Sequence, residues 1–273
     1  MKTKTYVITG ATSGIGYASV QELSKNNIVF AGYRNVKKLA ETEFHENKNV
    51  IPFYIDMEKA DSIENAAEFI KTKTEHIDTI INAAGCVIAG AIEELSIDEI
   101  RKQFEVNTFS HLNFTQYLLP LIDNGKIINI SSMASFGIFP FIAPYCASKR
   151  ALDILFNSLQ NEYKGKIRYI SIKPGVIATP LWCKSVDLNT KNLKNDKYKK
   201  EHEYLIQNAK QNEKNGLNVN KVVEVILKAD SSNNPKSSYT VGNDAVFAEI
   251  ISKLPQDLQN KLIKLGMKYK IKG

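Results

Sequence analysis

The sequence predicts an α/β protein with a doubly wound parallel β-sheet in a single domain. Two observations support this prediction. Short runs of apolar, β-branched residues alternate with amphipathic helical stretches over the first two-thirds of the chain. The strand-like runs are apolar nearly throughout, as expected for a parallel sheet that helices cover on both faces. Right-handed crossovers wind such a chain in two directions, and ligands then bind beyond the carboxyl ends of the strands.

The predicted elements follow one another regularly. We predict strands at 5–9, 28–33, 50–55, 79–82, 126–131 and 168–173, and helices near 15–25, 36–44, 58–74, 96–119 and 145–163. After Pro174-Gly175 the pattern changes. Residues 183–216 are polar and rich in Lys and Asn, which predicts a mobile, partly helical excursion that serves as a substrate lid.

The remaining residues predict a helix at 219–229, a strand at 238–241 and a helical tail at about 244–273. Pro255 interrupts the amphipathic pattern of 244–267, so two short helices are expected there. We find no internal repeat and no low-complexity linker, so residues 1–273 are interpreted as one domain.

Composition narrows the class of protein. The 43% hydrophobic and 24% charged fractions are those of an ordinary globular protein. Cys86, Cys146 and Cys183 are too few and too scattered for a disulfide framework or a zinc site, so we expect reduced thiols and no metal. No apolar signal segment opens the chain, and no run approaches ~20 apolar residues. These features predict a cytoplasmic protein.

The net charge of +7 is unevenly distributed. Residues 1–179 carry 19 basic and 19 acidic side chains, and residues 180–273 carry 17 and 10. A basic second half is compatible with nucleic acid or an anionic membrane surface. No base-stacking or groove-reading pattern accompanies the charge, so we predict a solvated, Lys-rich surface and no nucleic-acid partner.

A glycine-rich turn follows the first predicted strand and opens the first predicted helix. It reads Gly10-Ala11-Thr12-Ser13-Gly14-Ile15-Gly16. Glycines let the backbone approach a pyrophosphate, and the helix N-terminus offers unpaired N–H groups and a favourable dipole. The spacing departs from the G-x-G-x-x-G fingerprint, and a plain tight turn is the alternative. The position directly after the first strand favours a phosphate-binding loop.

The end of the second predicted strand indicates which nicotinamide cofactor the chain prefers. An acidic residue there would bind the ribose 2′-hydroxyl of NAD(H), whereas an arginine accommodates the 2′-phosphate of NADP(H). The sequence reads Val29-Phe30-Ala31-Gly32-Tyr33-Arg34-Asn35, without a carboxylate. Arg34 therefore favours NADP(H) over NAD(H), with a surface arginine at a strand end as the alternative.

Tyr145 and Lys149 are spaced i, i+4 on a predicted helix, which places both side chains on one face. An ammonium group beside a phenol favours the phenolate and lowers its pKa. Tyr145 is then a general acid or base for interconverting a carbonyl and an alcohol. Such a pair alone is often an ordinary surface pair, so its surroundings matter.

Small polar residues at predicted strand ends supply those surroundings. Ser131 and Ser132 end the fifth strand, and one of the two hydroxyls can hydrogen-bond a substrate carbonyl. The turn 82–85, N-A-A-G, lets a flat ring approach. Asn107 is a polar residue in an otherwise apolar helical stretch, for which a core-facing or exposed helical asparagine is the alternative.

Six motifs in this order resemble those of the short-chain dehydrogenase/reductase family in its single-domain form. They are T-G-x-x-x-G-I-G at 9–16, N-A-A-G at 82–85, the helix asparagine Asn107, I-S-S at 130–132, Y-x-x-x-K at 145–149 and P-G-x-x-x-T at 174–179. The resemblance covers roughly residues 3–180. It implies a Rossmann-type fold, a nicotinamide cofactor, and a homodimer or homotetramer formed through the helices at 96–119 and 145–163.

The resemblance also implies a role for individual residues. Ser132, 13 residues before the tyrosine, would be the catalytic serine, and Tyr145 the acid/base. Lys149 would contact the nicotinamide ribose and lower the pKa of Tyr145, and Asn107 would hold a water in a relay toward Lys149. The predicted cofactor-binding set is Gly10, Thr12, Ser13, Gly14, Ile15, Gly16, Arg34, Asp56, Asn82, Ala83, Gly85, Tyr145, Lys149, Pro174, Gly175, Ile177 and Thr179.

We therefore expect an NADP(H)-dependent oxidoreductase that interconverts a carbonyl and an alcohol. Past residue 180 the chain resembles a branch acting on steroids, retinoids and acyl-dihydroxyacetone phosphate, so a fairly apolar substrate is expected. Two alternatives stay open. One is a nicotinamide-binding regulator without turnover. The other is a lipid-modifying reductase at a membrane surface, held by a tail with leucines beside Lys253, Lys261, Lys264, Lys268, Lys270 and Lys272.

Overall fold

A computed structural model of the chain describes residues 3–182 and 196–272. The first part of the predicted lid, 183–195, lies outside the described residues, as does Cys183. The side chains of Lys268, Lys270 and Lys272 also lie outside them.

Seven strands form one parallel sheet. They are β1 (Thr5–Thr9), β2 (Ile28–Tyr33), β3 (Val50–Tyr54), β4 (Thr79–Asn82), β5 (Gly125–Ile130), β6 (Ile167–Pro174) and β7 (Ser238–Val241). Their spatial order is β3-β2-β1-β4-β5-β6-β7, and every neighbouring pair is parallel. The chain winds outward from β1 to β3 and then from β4 to β7. This confirms the predicted doubly wound, Rossmann-type sheet and places a crevice at the carboxyl ends of β1 and β4.

Ten helices are described around this sheet. They are α1 (Gly14–Leu23), α2 (Val36–Ala40), α3 (Ala60–Lys71), α4 (Ile97–Phe104), α5 (Ser110–Leu118), α6 (Ala143–Glu162), α7 (Lys199–Asn215), α8 (Asn220–Ser231), α9 (Asn243–Ile251) and α10 (Gln256–Lys272). Short 3-10 turns lie at Glu43–Glu46, Leu119–Leu121, Met133–Phe136 and Asp196–Tyr198.

The core forms two layers because strand residues alternate between the two faces of the sheet. Val7 of β1 packs in the layer formed with α3, α5 and α6, where Phe114 and Phe156 are fully buried. Tyr6 and Ile8 pack in the opposite layer, formed with α1 and α8. Burial on both faces explains why the strands are apolar nearly throughout.

The helix predicted near 96–119 is present, but it is not a regular α-helix throughout. The residues of a π turn, Glu105–Phe109, separate α4 from α5. A π turn holds one more residue than an α-helical turn, and here three consecutive residues, Val106, Asn107 and Thr108, are buried. Packing of these side chains between α6 and the sheet favours the wider turn, which leaves no mark in the hydrophobic periodicity.

Two further helix predictions also need correction. The helix expected over 36–44 ends at Ala40. Phe44 belongs to a 3-10 turn, and its ring stacks on the Tyr17 ring with the ring centroids 5.6 Å apart. In the tail, Pro255 separates two helices as predicted, but α10 has 17 residues and is not short. Proline is well tolerated just before a helix, so it does not limit the helix that follows.

Helix α7 covers part of the loop that follows β4. The Tyr198 hydroxyl donates to Glu93 Oε1 at 2.7 Å, and the Tyr198 ring meets Phe141 edge-on at 5.8 Å. The buried side chains of His202 and Glu94 approach to 3.3 Å between Nε2 and Oε2. The second half of the predicted lid is therefore helical and docked on the domain, while its motion stays a prediction. Among the described helices, none is long and apolar enough to cross a bilayer.

Candidate active site

The glycine-rich loop between β1 and α1 needs glycine for two physical reasons. Gly10 and Gly14 have φ angles of +66° and +53°, a region that other residues adopt only under strain. A Cβ on Gly10 would also lie 2.8 Å from Ala84 Cα. Thr9 Oγ1 accepts hydrogen bonds from the amides of Ala83 and Ala84 at 3.1 and 3.2 Å. These contacts bring the loop and the turn after β4 together at the crevice.

The start of α1 suits an anionic group. Ser13 is the extended N-cap residue, and its side chain makes no capping hydrogen bond within the described structure. The first turn of α1 contains no acidic residue. The N–H groups of this turn are therefore available to a ligand. They lie at the positive end of the helix dipole, which favours the binding of a phosphate. The loop thus fits the pyrophosphate of a dinucleotide.

Arg34 lies at the end of β2 among charged side chains. Its Nη1 atom is 2.9 Å from Glu58 Oε1 and 3.7 Å from Asp56 Oδ1. Lys102 Nζ contacts the other oxygen of Glu58 at 2.7 Å. The Arg34 side chain is 60% exposed, and Glu58 already holds its guanidinium group. Glu58 and Lys102 carry no signal in the sequence, because their link to Arg34 spans three separate elements.

Asn82, predicted to lie along the cofactor, is fully buried inside the sheet. Its Nδ2 atom donates to Oδ1 of Asn129 on β5 at 2.8 Å. The pair joins the carboxyl-terminal parts of β4 and β5 beneath the crevice. Gly85 instead lies at the crevice, where an added Cβ would be 3.7 Å from Lys149 Nζ and 3.4 Å from Asn107 Oδ1.

The serine next to Tyr145 is Ser132. Its side chain hydrogen-bonds Tyr145, and its Oγ accepts from the Ala134 amide at 3.1 Å. The hydroxyl of Ser131 is buried without a partner among the described residues, and the Ser131 amide donates to Ile172 at 2.8 Å. Because successive residues of an extended segment point in opposite directions, only Ser132 faces the tyrosine.

Tyr145 and Lys149 are both buried at the start of α6. Burial raises the pKa of Tyr145 to about 12, although the hydrogen bond with Ser132 opposes the shift. Burial lowers the pKa of Lys149 to about 8, against the attraction of Asp153. We expected Lys149 to lower the pKa of Tyr145. In the folded chain the net shift is upward, because loss of solvent disfavours the phenolate more strongly.

Lys149 Nζ donates to the carbonyl oxygen of Ile130 at 2.8 Å, which anchors the ammonium group at the end of β5. Asn107 lies beneath the turn after β4. Its Oδ1 accepts from the Cys86 amide at 2.9 Å, and its Nδ2 donates to the Cys86 carbonyl oxygen at 2.9 Å and to Ser148 Oγ at 3.2 Å. The side-chain amide of Asn107 thus holds the Cys86 backbone and Ser148 of α6. A proton relay through Asn107 would have to use its other atoms.

Residues 174–179 close the crevice next to the glycine loop. The amide of Gly175 donates to Val241 at 2.8 Å, and a bridge to Leu217 uses the carbonyl of Val176 and the amide of Ala178. The amide of Ile177 takes no part in this bridge. The Thr179 methyl group packs on the loop, since a Cβ on Gly14 would lie 3.2 Å from it. Pro174 ends β6.

An apolar cluster surrounds Tyr145. Buried Val87, Ala134, Ile142 and Cys146 pack with it, and Phe139, Leu181 and Trp182 lie at the edge. The Trp182 ring meets the Tyr145 ring edge-on at 5.9 Å. These residues were not predicted to lie in the site, because they come from three segments that only the fold brings together.

Comparisons with known proteins identify the family to which the chain belongs. A model described as short chain dehydrogenase matches residues 4–189. A 3-amino-tetrahydro-pyrrolizinone reductase from Xenorhabdus hominickii is 30% identical over 90% of this chain and 89% of its own length. An NADPH-dependent 3-dehydrocapnine reductase from Ornithobacterium rhinotracheale is 28% identical over 96% of both chains.

A solved short-chain dehydrogenase/reductase from Burkholderia phymatum, in complex with NAD, has the same fold. Its TM-score is 0.77 at 20% identity, over 97% of this chain and 95% of that one. The chain belongs to the short-chain dehydrogenase family, whose members are oxidoreductases that bind a nicotinamide cofactor and a small-molecule substrate.

Proposed function

We propose that the chain is an NADP(H)-dependent reductase of a fairly apolar carbonyl compound. The observation that supports it best is the position of Tyr145. Its phenol is buried, hydrogen-bonded to Ser132 and one helical turn before Lys149. Gly85 lies beside Lys149 in the same crevice. An acid, a carbonyl-orienting hydroxyl and a cation thus converge where a flat ring has room to approach.

Tyr145 would protonate the carbonyl oxygen. With a pKa raised to about 12, its phenol carries a proton at neutral pH, which is the form that a general acid requires. Ser132 would orient the same oxygen by a hydrogen bond. When bound, the reduced nicotinamide supplies the hydride that the carbonyl carbon takes up. The hydride and the Tyr145 proton together convert the carbonyl into an alcohol.

Lys149 would stabilise the charge that Tyr145 acquires. With a pKa lowered to about 8, the amine is still mostly protonated at pH 7. Its anchoring bond to Ile130 keeps the cation at one place in the crevice. A fixed cation in a buried site favours the tyrosinate left after proton transfer. The proton that Tyr145 carries at neutral pH is the one that carbonyl reduction consumes.

The preference for NADP(H) rests on Arg34. One relative is named as NADPH-dependent and one similar structure contains NAD, so the comparisons support both cofactors. Arg34 is exposed at the end of β2, and a guanidinium group can bind a 2′-phosphate with two hydrogen bonds. The ion pair with Glu58 is the feature that opposes it, because the phosphate must displace or share that carboxylate.

The apolar cluster around Tyr145 supports a fairly apolar substrate of the steroid, retinoid or acyl-ketone kind. Both relatives are named as reductases, which supports the proposed direction. Cytoplasmic location and a homodimer or homotetramer stay predictions.

The decisive experiment measures binding and turnover separately. NADPH binding is followed by fluorescence, and NADPH consumption is screened over steroid ketones, retinal, acyl ketones and quinones. We expect Tyr145→Phe to bind NADPH normally and to lose on the order of 10²–10⁴ in turnover, since it removes the general acid. A wild-type protein that does not bind NADPH would refute the proposal. Binding without turnover would favour the regulator.

The cofactor preference has its own test. Arg34→Gln should weaken NADPH binding about tenfold and leave NADH binding nearly unchanged, because the 2′-phosphate loses a charged partner. Glu58→Gln should have the opposite effect on NADPH, since it frees Arg34. Dissociation constants of both cofactors are compared for the two variants. Equal losses for NADPH and NADH in Arg34→Gln would contradict the assignment.

A membrane-surface role is the second candidate, favoured by one observation. Leu258, Leu262 and Leu265 of α10 are exposed, beside Lys261 and Lys264. A basic helix with an apolar face can lie on anionic lipid. Co-sedimentation with phosphatidylglycerol vesicles, with and without residues 253–273, tests it. Equal sedimentation of both proteins would exclude the tail as the lipid contact.

A further inference from the structure

We propose that Gln103 and His111 are positioning residues that, with Asn107 between them, fix residues 84–88 as the wall shared by the cofactor and the substrate. The three side chains are named the polar ladder below, and residues 84–88 the wall. The inference rests on the proposed function, because it assigns one end of the wall to each ligand.

The ladder follows from the spacing of three polar residues on one helical face. Gln103, Asn107 and His111 are four residues apart along α4, the π turn and α5. Residues at this spacing lie above one another on a helix. All three have no exposed surface. Fully buried Gln, Asn and His side chains are unusual, and each needs hydrogen-bond partners.

The partners are backbone groups of the wall. Gln103 Oε1 accepts from the Ile88 amide at 2.7 Å, and its Nε2 donates to the Cys86 carbonyl oxygen at 2.8 Å. Asn107 bonds both the amide and the carbonyl of Cys86. His111 Nε2 lies 2.9 Å from the Ala84 carbonyl oxygen.

His111 acts here as a neutral donor. A carbonyl oxygen only accepts, so Nε2 must carry the ring hydrogen. Burial and the nearby Lys149 cation lower the pKa of His111 to about 3, so the ring does not ionise in the physiological range. The bond to Ala84 is therefore the one described contact through which His111 acts on the wall.

The wall needs such support because it belongs to no helix or strand. Buried backbone groups outside regular structure must still find partners. The ladder supplies them to the Ala84 carbonyl, both polar groups of Cys86 and the Ile88 amide. A wall held at alternate residues has little freedom to shift, so the residues between the anchors are fixed as well.

The residues between the anchors face the two ligands. Gly85, between Ala84 and Cys86, lies against Lys149, on the nicotinamide side of the crevice. Val87, between Cys86 and Ile88, is buried in the apolar cluster with Tyr145, and Trp182 packs against this cluster. His111 therefore sets the cofactor end of the wall, and Gln103 sets the substrate end.

The first test needs no turnover. Gln103→Leu removes the acceptor of the Ile88 amide, so hydrogen exchange at that amide should accelerate at least tenfold. Trp182 is the sole tryptophan, and its emission should shift to longer wavelength as the Val87 cluster loosens. His111→Phe should change neither signal.

The second test separates the two ends by binding and kinetics. His111→Phe should weaken NADPH binding about tenfold, the effect of one buried hydrogen bond, and His111→Gln should restore most of it by donating to Ala84 again. Gln103→Leu should raise KM for a medium-chain acyl ketone with an unchanged NADPH dissociation constant.

Gln160→Leu is the matched control. It removes a 2.8 Å bond to the Tyr169 amide at the start of β6, and should lower the melting temperature alone.

The outcomes distinguish the inference from the proposed function. Wild-type protein that fails to bind NADPH refutes the function, and the Ile88 exchange and Trp182 emission still decide whether Gln103 holds the wall. Active wild type with equal effects of His111→Phe and Gln103→Leu on both ligands would overturn the division of the wall. Unchanged Ile88 exchange in Gln103→Leu would overturn the ladder.

Discussion

The charge state of Lys149 depends on one buried carboxylate. Asp153 lies one turn further along α6 and raises the pKa of Lys149 against the effect of burial. Asp153 is itself paired with Lys173 Nζ at 2.8 Å, and it accepts from Tyr169 and Ser171 at 2.9 and 2.8 Å. This network was not anticipated from sequence, because its members come from α6 and β6.

Reduction should slow as the pH rises through about 8, because Lys149 then loses the proton that stabilises the tyrosinate. Asp153→Asn should move this alkaline limb to lower pH, since a negative charge that favours the ammonium is gone. It should also destabilise the protein by ~3–5 kcal/mol, because Lys173 is left buried without its partner. The measurements are kcat against pH with saturating NADPH and urea unfolding. Asp123→Asn at an exposed site is the control, and an equal shift there would refute the assignment.

At the scale of the element, the two positive-φ glycines of the loop between β1 and α1 have neighbours that differ in how easily they move. A side chain at Gly10 would meet the backbone of Ala84, whereas one at Gly14 would meet only the side chain of Thr179. Backbone cannot move without disturbing β4, but a methyl group can shift by a few tenths of an ångström. Gly10 therefore matters mainly for the stability of the fold, and Gly14 mainly for the shape of the anion site.

We expect Gly10→Ala to cost more than ~2 kcal/mol in unfolding free energy, because a positive φ and a backbone clash add. Gly14→Ala should cost about 1–2 kcal/mol and weaken NADPH binding in the protein that folds. Both are measured by urea unfolding and fluorescence titration. Gly266→Ala in α10, with open space around it, should be neutral or stabilising. A larger loss of stability in Gly14→Ala than in Gly10→Ala would contradict this ranking.

At the scale of the molecule, Asp230 ties α8 to the amino-terminal edge of the sheet, opposite the active site. Its carboxylate accepts from Lys4 Nζ, Tyr6 Oη and Thr79 Oγ1 at 2.7, 2.8 and 2.7 Å. Burial alone would raise the pKa of Asp230, but the hydrogen bonds from Lys4, Thr79 and Tyr6 outweigh it and the net pKa lies below its usual value.

Asp230→Asn should destabilise the fold by ~3 kcal/mol without changing cofactor affinity, because it removes a buried carboxylate that three donors share far from the crevice. The depressed pKa means that the carboxylate stabilises the fold above its unfolded pKa, and that this stability is lost as the pH falls through the folded value. Urea unfolding at neutral and acidic pH checks both statements. Glu224→Gln, in an exposed pair with Lys221, should change stability by under ~0.5 kcal/mol. Comparable losses in both variants would refute the assignment.

The sequence predicts the strands well and the irregular elements poorly. Four strands, β1, β2, β4 and β7, have the predicted bounds, because their apolar runs end in polar or small residues. The π turn at Glu105–Phe109 has no such signal, since it arises from packing against α6. Ser132 faces Tyr145 and Asn82 lies inside the sheet, and the roles predicted for both stay predictions.

The sequence by itself determines the order of strands and helices and the chemical groups at the carboxyl ends of the strands, because periodicity and turn residues are local properties. Tertiary structure decides the protonation of Tyr145 and Lys149, the capture of Arg34 by Glu58, and the polar ladder under the wall. Each of these depends on burial or on contacts between residues distant in the chain. Desolvation and the pairing of buried polar groups exist only once the chain has folded, so no local pattern can report them.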